Sequence, residues 1–153
     1  MTLRRLGFVW LTVALVVLSG CASVPERPVS ADRATQNALS MVGKPYHFGG
    51  NSPQQGFDCS GLVQWSYGRV GVRLPHGTDR LRQVSKKIPS SSLRRGDLLF
   101  FTQAGKPSSH VAIYIGDDRF VHAPSSGKRV YVGDFNDRYW KKYFDEARRI
   151  DSD

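Results

Sequence analysis

Residues 57–71 read Phe57-Asp58-Cys59-Ser60-Gly61-Leu62-Val63-Gln64-Trp65-Ser66-Tyr67-Gly68-Arg69-Val70-Gly71. Asp58 is a favourable N-cap residue, and Leu62, Val63, Tyr67 and Val70 recur at helical intervals until Gly71 ends the run. Counting by threes and fours places 59, 62, 63, 66, 67 and 70 on one stripe. Cys59 is therefore expected in the first turn of a helix, where the buried face meets the helix mouth. Unpaired N–H groups at such a mouth favour an anion. A thiolate is one, so a lowered thiol pKa is expected, and the same N–H groups could hold an oxyanion. Gly61 is expected to keep the approach to that turn open.

Upstream of this helix, Tyr46 to Gly56 is a glycine-rich loop. Before the loop, Ser30 can cap a helix running to about Val42, stopped by Gly43 and Pro45. Downstream, a polar connection with Pro75, Gly77 and Pro89 should hold a short helix near Asp79 to Val84. The remainder reads as strands: Leu98 to Thr102, His110 to Ile115, Arg119 to Ala123 and Val130 to Gly133 are short, β-branched or aromatic, and are separated by turn residues. Helices first and an antiparallel sheet second is an α+β pattern.

The chain has 153 residues, the size of one domain plus a targeting segment, with 40% hydrophobic and 23% charged residues. Its start differs from the rest. Arg4 and Arg5 precede an uncharged apolar run, Leu6 to Leu18, which is shorter than the ~20 residues that span a bilayer and reads as a signal peptide. Leu18-Ser19-Gly20-Cys21 resembles the lipobox of bacterial lipoproteins. That resemblance implies cleavage before Cys21, a lipid on its sulfur, and a membrane as partner. Ala22 stands where an Asp would mark inner-membrane retention, so the periplasmic face of an outer membrane is expected. The division is then a signal peptide at 1–20, a proline-bearing lipidated tether at 21–30, and one folded domain over 31–153.

Two counts narrow the function. Without Arg4 and Arg5 the chain keeps 20 basic against 13 acidic residues, a net +7. The basic residues crowd Arg69 to Arg95 and Lys128 to Arg149, and anionic partners such as stem-peptide carboxylates or lipid surfaces fit an exported protein better than nucleic acid does. With Cys21 carrying lipid, Cys59 is the one thiol of the mature domain, unpaired in an oxidising compartment. It is either a packed core residue or a nucleophile.

His110 starts its strand on the side shared by Ala112 and Tyr114, and His122 lies on the next strand. Adjacent antiparallel strands can make these side chains neighbours. A thiol, an imidazole to take its proton and a second polar group to orient that imidazole are what cysteine catalysis requires. One cysteine and two histidines could instead ligate zinc, but they lack the close-set pair that usually nucleates such a site, so no metal and no cofactor is expected. A third reading is a basic, tethered peptidoglycan-binding lipoprotein in which these residues are structural.

Phe57 to Val63, Arg95-Gly96-Asp97-Leu98-Leu99-Phe100-Phe101, Ser109 to Gly116 and Phe120-Val121-His122-Ala123 together resemble the NlpC family of papain-like cell-wall cysteine endopeptidases. The four motifs stand in order and the resemblance spans about residues 31 to 150. It implies a papain-like α+β fold with the nucleophile at a helix N-terminus packed on a mostly antiparallel sheet. By the same resemblance Cys59 is the nucleophile, His110 the general base and His122 the orienting third member, while Tyr46, Asp58 and Ser60 match positions near the oxyanion and along the substrate cleft. The implied substrate is a peptidoglycan peptide, either the D-alanyl-diaminopimelate cross-link or the γ-D-glutamyl-diaminopimelate bond, and a monomer is expected. Papain-like Cys–His sites also act as amidases or acyltransferases. His76 stands where relatives commonly carry arginine and Ala112 where many carry glycine. His47 and His76 match no catalytic position and are expected at the surface.

Overall fold

The computed structural model describes residues 29–125 and 127–151; the expected signal peptide, Cys21 and the tether up to residue 28 lie outside them. The described residues begin with α1 (Val29–Leu39), so Ser30 lies inside the helix and is not its cap. The helix closes with short-range bonds from Met41 N–H to Ala38 and from Val42 N–H to Leu39 before Gly43 turns the chain at φ 89°.

A two-stranded ribbon, β1 (Asn51–Ser52) and β2 (Gly56–Phe57), leads directly into α2 (Cys59–Gly68). The expected stripe is the buried one: Leu62, Val63 and Tyr67 are about 1% exposed and Ser66 is fully buried. Then come α3 (Thr78–Gln83), β3 (Lys86–Ile88), a 3-10 turn at Ser90–Ser92, β4 (Leu98–Gln103), β5 (Lys106–Gly116), β6 (Arg119–His122), β7 (Tyr131–Asp134), α4 (Arg138–Tyr143) and β8 (Phe144–Arg149). The six longer-range strands form one sheet in the order β3-β8-β4-β5-β6-β7, with every neighbouring pair antiparallel. The architecture is α+β, helices packed on an antiparallel sheet.

Sheet alternation sorts the core into two layers. Leu98 and Phe100 of β4, Val111, Ile113 and Ile115 of β5 and Val121 of β6 face α1 and α2. Leu99, Phe101, Ala112, Tyr114 and Phe120 face the other way, against Trp140 of α4 and Ala147 of β8. His110 and His122 have the parity of this second layer.

Strands β3 and β8 and helix α4 carry no apolar alternation, and the sequence reading passes over them. Phe144–Arg149 is the charged run Phe-Asp-Glu-Ala-Arg-Arg, yet it lies between β3 and β4. Its charges are neutralised after folding. Buried Glu146 receives Arg82 Nε at 2.6 Å, Arg148 Nη1 at 3.2 Å and Lys87 Nζ at 3.4 Å. Arg149 makes a two-pronged pair with buried Asp97, both contacts at 2.7 Å. Part of the expected basic surface is thus spent holding β8 in the sheet, since a buried carboxylate is tolerable only when paired.

Gly61 does not open the approach to α2. A side-chain carbon placed on it would come 2.0 Å from the Gly50 carbonyl oxygen. The glycine lets the loop backbone pack directly on the first turn of the helix, and Asp58 N–H bonds the same Gly50 carbonyl at 3.0 Å. Loop and helix mouth are thereby one rigid unit.

Candidate active site

Asp58 takes extended geometry (φ −88°, ψ 176°) and caps α2, accepting the Gly61 N–H at 2.6 Å. The same carboxylate accepts Ser60 Oγ–H at 3.1 Å and the Gly49 N–H at 3.0 Å, and His76 Nε2 lies 2.9 and 2.8 Å from its two oxygens. These donors use essentially all of its lone pairs. Asp58 is therefore a hub that ties the loop, the helix mouth and residue 76 together.

Cys59 opens the helix, half-buried, with the backbone N–H groups of Val111, of Ser60 and of its own residue near enough to the sulfur to favour its anion. The Val111 N–H belongs to the peptide that follows His110, so α2 and β5 meet near the sulfur. The thiol is not acidified. Burial pushes it up to about 11, the three N–H groups oppose that only in part, and the Asp58 charge adds to the rise. The expectation from the helix mouth fails because desolvation of a buried anion outweighs what the nearby N–H groups return, and the Asp58 charge adds to it.

His110 is 2% exposed and His122 fully buried. Register places Ile113 across from Val121 and Tyr114 across from Phe120, which continues to His122 across from Ala112 and His110 one diagonal step away. Diagonal neighbours on one face are within reach of long side chains. His110 Nε2 lies 2.7 Å from His122 Nδ1. This contact occupies one nitrogen of His110 and leaves Nδ1 as the other. Burial lowers His110 to about 4, and burial, then His110 and Lys128, lower His122 to about 2. Thiol and imidazoles are all neutral near pH 7.

A cleft of about 520 Å³ opens over the sulfur, and Tyr46, Asp58, Ser60 and Cys59 all line it. The Tyr46 phenol is raised, first by burial and then by the charges of Cys59 and Asp58. Tyr46 is held by its N–H bond to the Lys128 carbonyl at 2.9 Å and by a bridge to Phe57. Tyr46, Asp58, Cys59 and Ser60 are thus brought to one cleft, and His110 and His122 to each other. His47 is exposed, as expected. His76 is not a free surface residue: it lines the cleft with its side chain 29% exposed and bound to Asp58. Its place in Leu74-Pro75-His76-Gly77-Thr78, where relatives commonly carry arginine, was the signal available in the sequence. Ser109, which also lines the cleft, and Trp140, behind the histidines, carried no signal of their own. Among the described residues no three His, Cys, Asp or Glu side chains converge in a metal-binding group.

Comparison with known proteins agrees with this fold. The model of the NlpC/P60 family matches residues 43–149. The murein DD-endopeptidase MepS/murein LD-carboxypeptidase of Escherichia coli K12 is 43% identical over 109 residues, 71% of this chain and 56% of that protein. The bifunctional muramidase/DL-endopeptidase CwlT of Bacillus subtilis is 39% identical over 117 residues, 75% of this chain and 35% of that protein. This chain therefore spans between about a third and somewhat over half of these relatives. A lipoprotein-like NLP/P60 family protein of Staphylococcus aureus has a crystal structure that superposes with a TM-score of 0.71 at 37% identity, covering 81% of this chain and 42% of that one.

Proposed function

The chain belongs to the NlpC/P60 family, and from that premise we propose that it is a cysteine endopeptidase cutting peptide bonds in peptidoglycan. Cys59 is the nucleophile, His110 its base and His122 the residue that orients the base. The observation that carries this reading is the 2.7 Å contact between His110 and His122, with the N–H of Val111, the residue after His110, close to the Cys59 sulfur.

The neutral resting pair sets the order of events. As substrate fills the cleft, the thiol proton passes to His110 and the sulfur attacks the carbonyl carbon. Negative charge moves to the carbonyl oxygen, for which the Cys59 N–H and the Tyr46 hydroxyl are the proposed donors, the Gly61 N–H being held by Asp58. The intermediate collapses, His110 returns the proton to the departing amine, and an acyl-enzyme remains. Water, deprotonated by His110, releases the acid. Throughout, His122 holds the imidazole orientation through the contact of its Nδ1 with His110 Nε2.

Within peptidoglycan, the D-alanyl-diaminopimelate cross-link is the favoured bond, supported by the likeness to MepS. The bond between D-glutamate and diaminopimelate is the second reading, supported by the likeness to CwlT. The lipobox resemblance at Leu18 to Cys21 supports a lipid anchor on Cys21 and a place on the periplasmic face of the outer membrane.

Digestion of a defined cross-linked muropeptide, with products identified by mass spectrometry, tests both levels. Cleavage by the full chain, lost in Cys59→Ala while binding to isolated sacculi persists, is the expected result. Equal product release by the variant sinks the proposed nucleophile, and the masses report which bond breaks.

A further inference from the structure

His122 is fully buried, and its Nε2 has no hydrogen-bond partner among the described residues. Its other nitrogen faces His110. Around His122 stand aromatic rings: Tyr131 at 4.4 Å between centroids, Trp140 at 4.9 Å and Phe120 at 5.1 Å. The orphan nitrogen therefore lies among ring systems and meets neither an oxygen nor a second nitrogen.

Trp140 is special among these because it also meets His110, at 6.0 Å and only 28° between planes. The centroids of the two imidazoles are 4.9 Å apart, the separation expected when rings are joined end to end through a 2.7 Å nitrogen contact. His122 hence lies along the plane of His110. The indole, nearly parallel to His110 and perpendicular to His122 at 90°, lies over the face of the first ring and presents its own face to the edge of the second. Trp140 itself is 8% exposed and forms, with Tyr131, the wall between the histidine pair and a second cleft of about 560 Å³. Of these two, only Trp140 meets both imidazoles.

That enclosure decides between two tautomers. If His122 carried its proton on Nδ1, it would donate to His110 Nε2, bury a bare lone pair among negative ring faces, and force the His110 proton onto Nδ1, where no base would be left for the thiol. If the proton sits on Nε2, an N–H meets the ring faces, which attract it. His122 Nδ1 then accepts from His110 Nε2–H, and His110 Nδ1 keeps its lone pair.

We propose that Trp140 is a positioning residue of this site, whose indole, with Tyr131 beside it, keeps water from the histidine pair and holds His122 in the Nε2–H tautomer that leaves His110 Nδ1 free to take the thiol proton. This rests on the peptidase reading for its consequence but not for its detection, since the tautomers are observable without substrate.

The test uses the full chain with 15N-labelled histidine. In the wild type, His122 should show a protonated Nε2 and an unprotonated Nδ1, and His110 the same pattern. In Trp140→Leu that signature should disappear into exchange, with kcat down about tenfold or more and KM within about twofold, the split expected of a lost orienting group. Trp140→Phe, which restores an aromatic face, should recover the signature and most of kcat. Wild-type spectra with the proton on His122 Nδ1 overturn the proposal. So does a folded Trp140→Leu protein with unchanged tautomers and kcat. Should the leucine variant fail to fold, the wild-type spectrum and the phenylalanine variant still decide. A wild type with the expected tautomers that cleaves no muropeptide overturns the peptidase reading and leaves this one standing.

Discussion

His76 Nε2 sits 2.8 and 2.9 Å from the two oxygens of Asp58, so the side chain nearest the helix cap across the cleft is bound to the cap itself. Asp58 receives five donor contacts in all, two of them from this one nitrogen, and the group that the pair presents to a substrate is the exposed edge of His76. Each partner then has a distinct phenotype.

Asp58→Ala removes the N-cap of α2 and should cost about 1–2 kcal/mol of stability, together with the link that orders Gly49 and Ser60. His76→Ala removes a half-exposed partner, for which a stability loss of under about 1 kcal/mol is expected. Its effect should fall on KM for muropeptide. Chemical denaturation and steady-state kinetics on both variants separate the roles. A large destabilisation by His76→Ala with unchanged KM would show that residue 76 only supports the fold.

The neutral thiol–imidazole pair makes a prediction about pH. Burial places His110 near 4 and Cys59 near 11, so the resting thiol stays protonated across the neutral range. Its alkylation by iodoacetamide at pH 7 should be slower than that of free cysteine and rise toward alkaline pH, and the acid limb of kcat/KM should lie well below 6.5. Stability has the matching signs. Below pH 6.5 the unfolded chain binds protons that buried His110 and His122 refuse, so stability falls as pH drops toward about 4; above pH 9 the unfolded thiol ionises while Cys59 does not, so stability falls again. Fast alkylation at pH 5 would instead reveal a resting ion pair.

Gly61→Ala should be severe for a substitution that adds one methyl group. Its side-chain carbon would stand 2.0 Å from the Gly50 carbonyl oxygen and 3.0 Å from the carbonyl carbon, both backbone atoms that cannot rotate away. Overpacking of this kind costs about 1–3 kcal/mol or more. Because the displaced loop leads back to Tyr46, kcat should fall along with the melting temperature. Wild-type activity at a wild-type melting temperature would mean that loop and helix can part without consequence.

Much of the site could be read before folding because its members sit on elements with strong local patterns. The stripe Leu62, Val63, Tyr67 put Cys59 in the first turn of α2, and the alternation in β5 put His110 with Ala112 and Tyr114. Strand β8 was unreadable for the opposite reason: Asp145 to Arg149 is nearly all charge, and only pairing with Arg82, Asp97 and the neighbouring strands makes it sheet. His76 was misjudged because its importance lies in a contact with Asp58, 18 residues away in the chain.

The order of residues alone determined which side chains could do chemistry and which elements carry them, since helical and strand periodicities are local properties of the chain. What the tertiary structure alone decided is the protonation of those groups and their company: the raised thiol, the lowered imidazoles, the Asp58–His76 pair and the indole over two histidines. Electrostatic and desolvation energies depend on what surrounds a group from every direction, and most of that surround is supplied by residues far away in sequence.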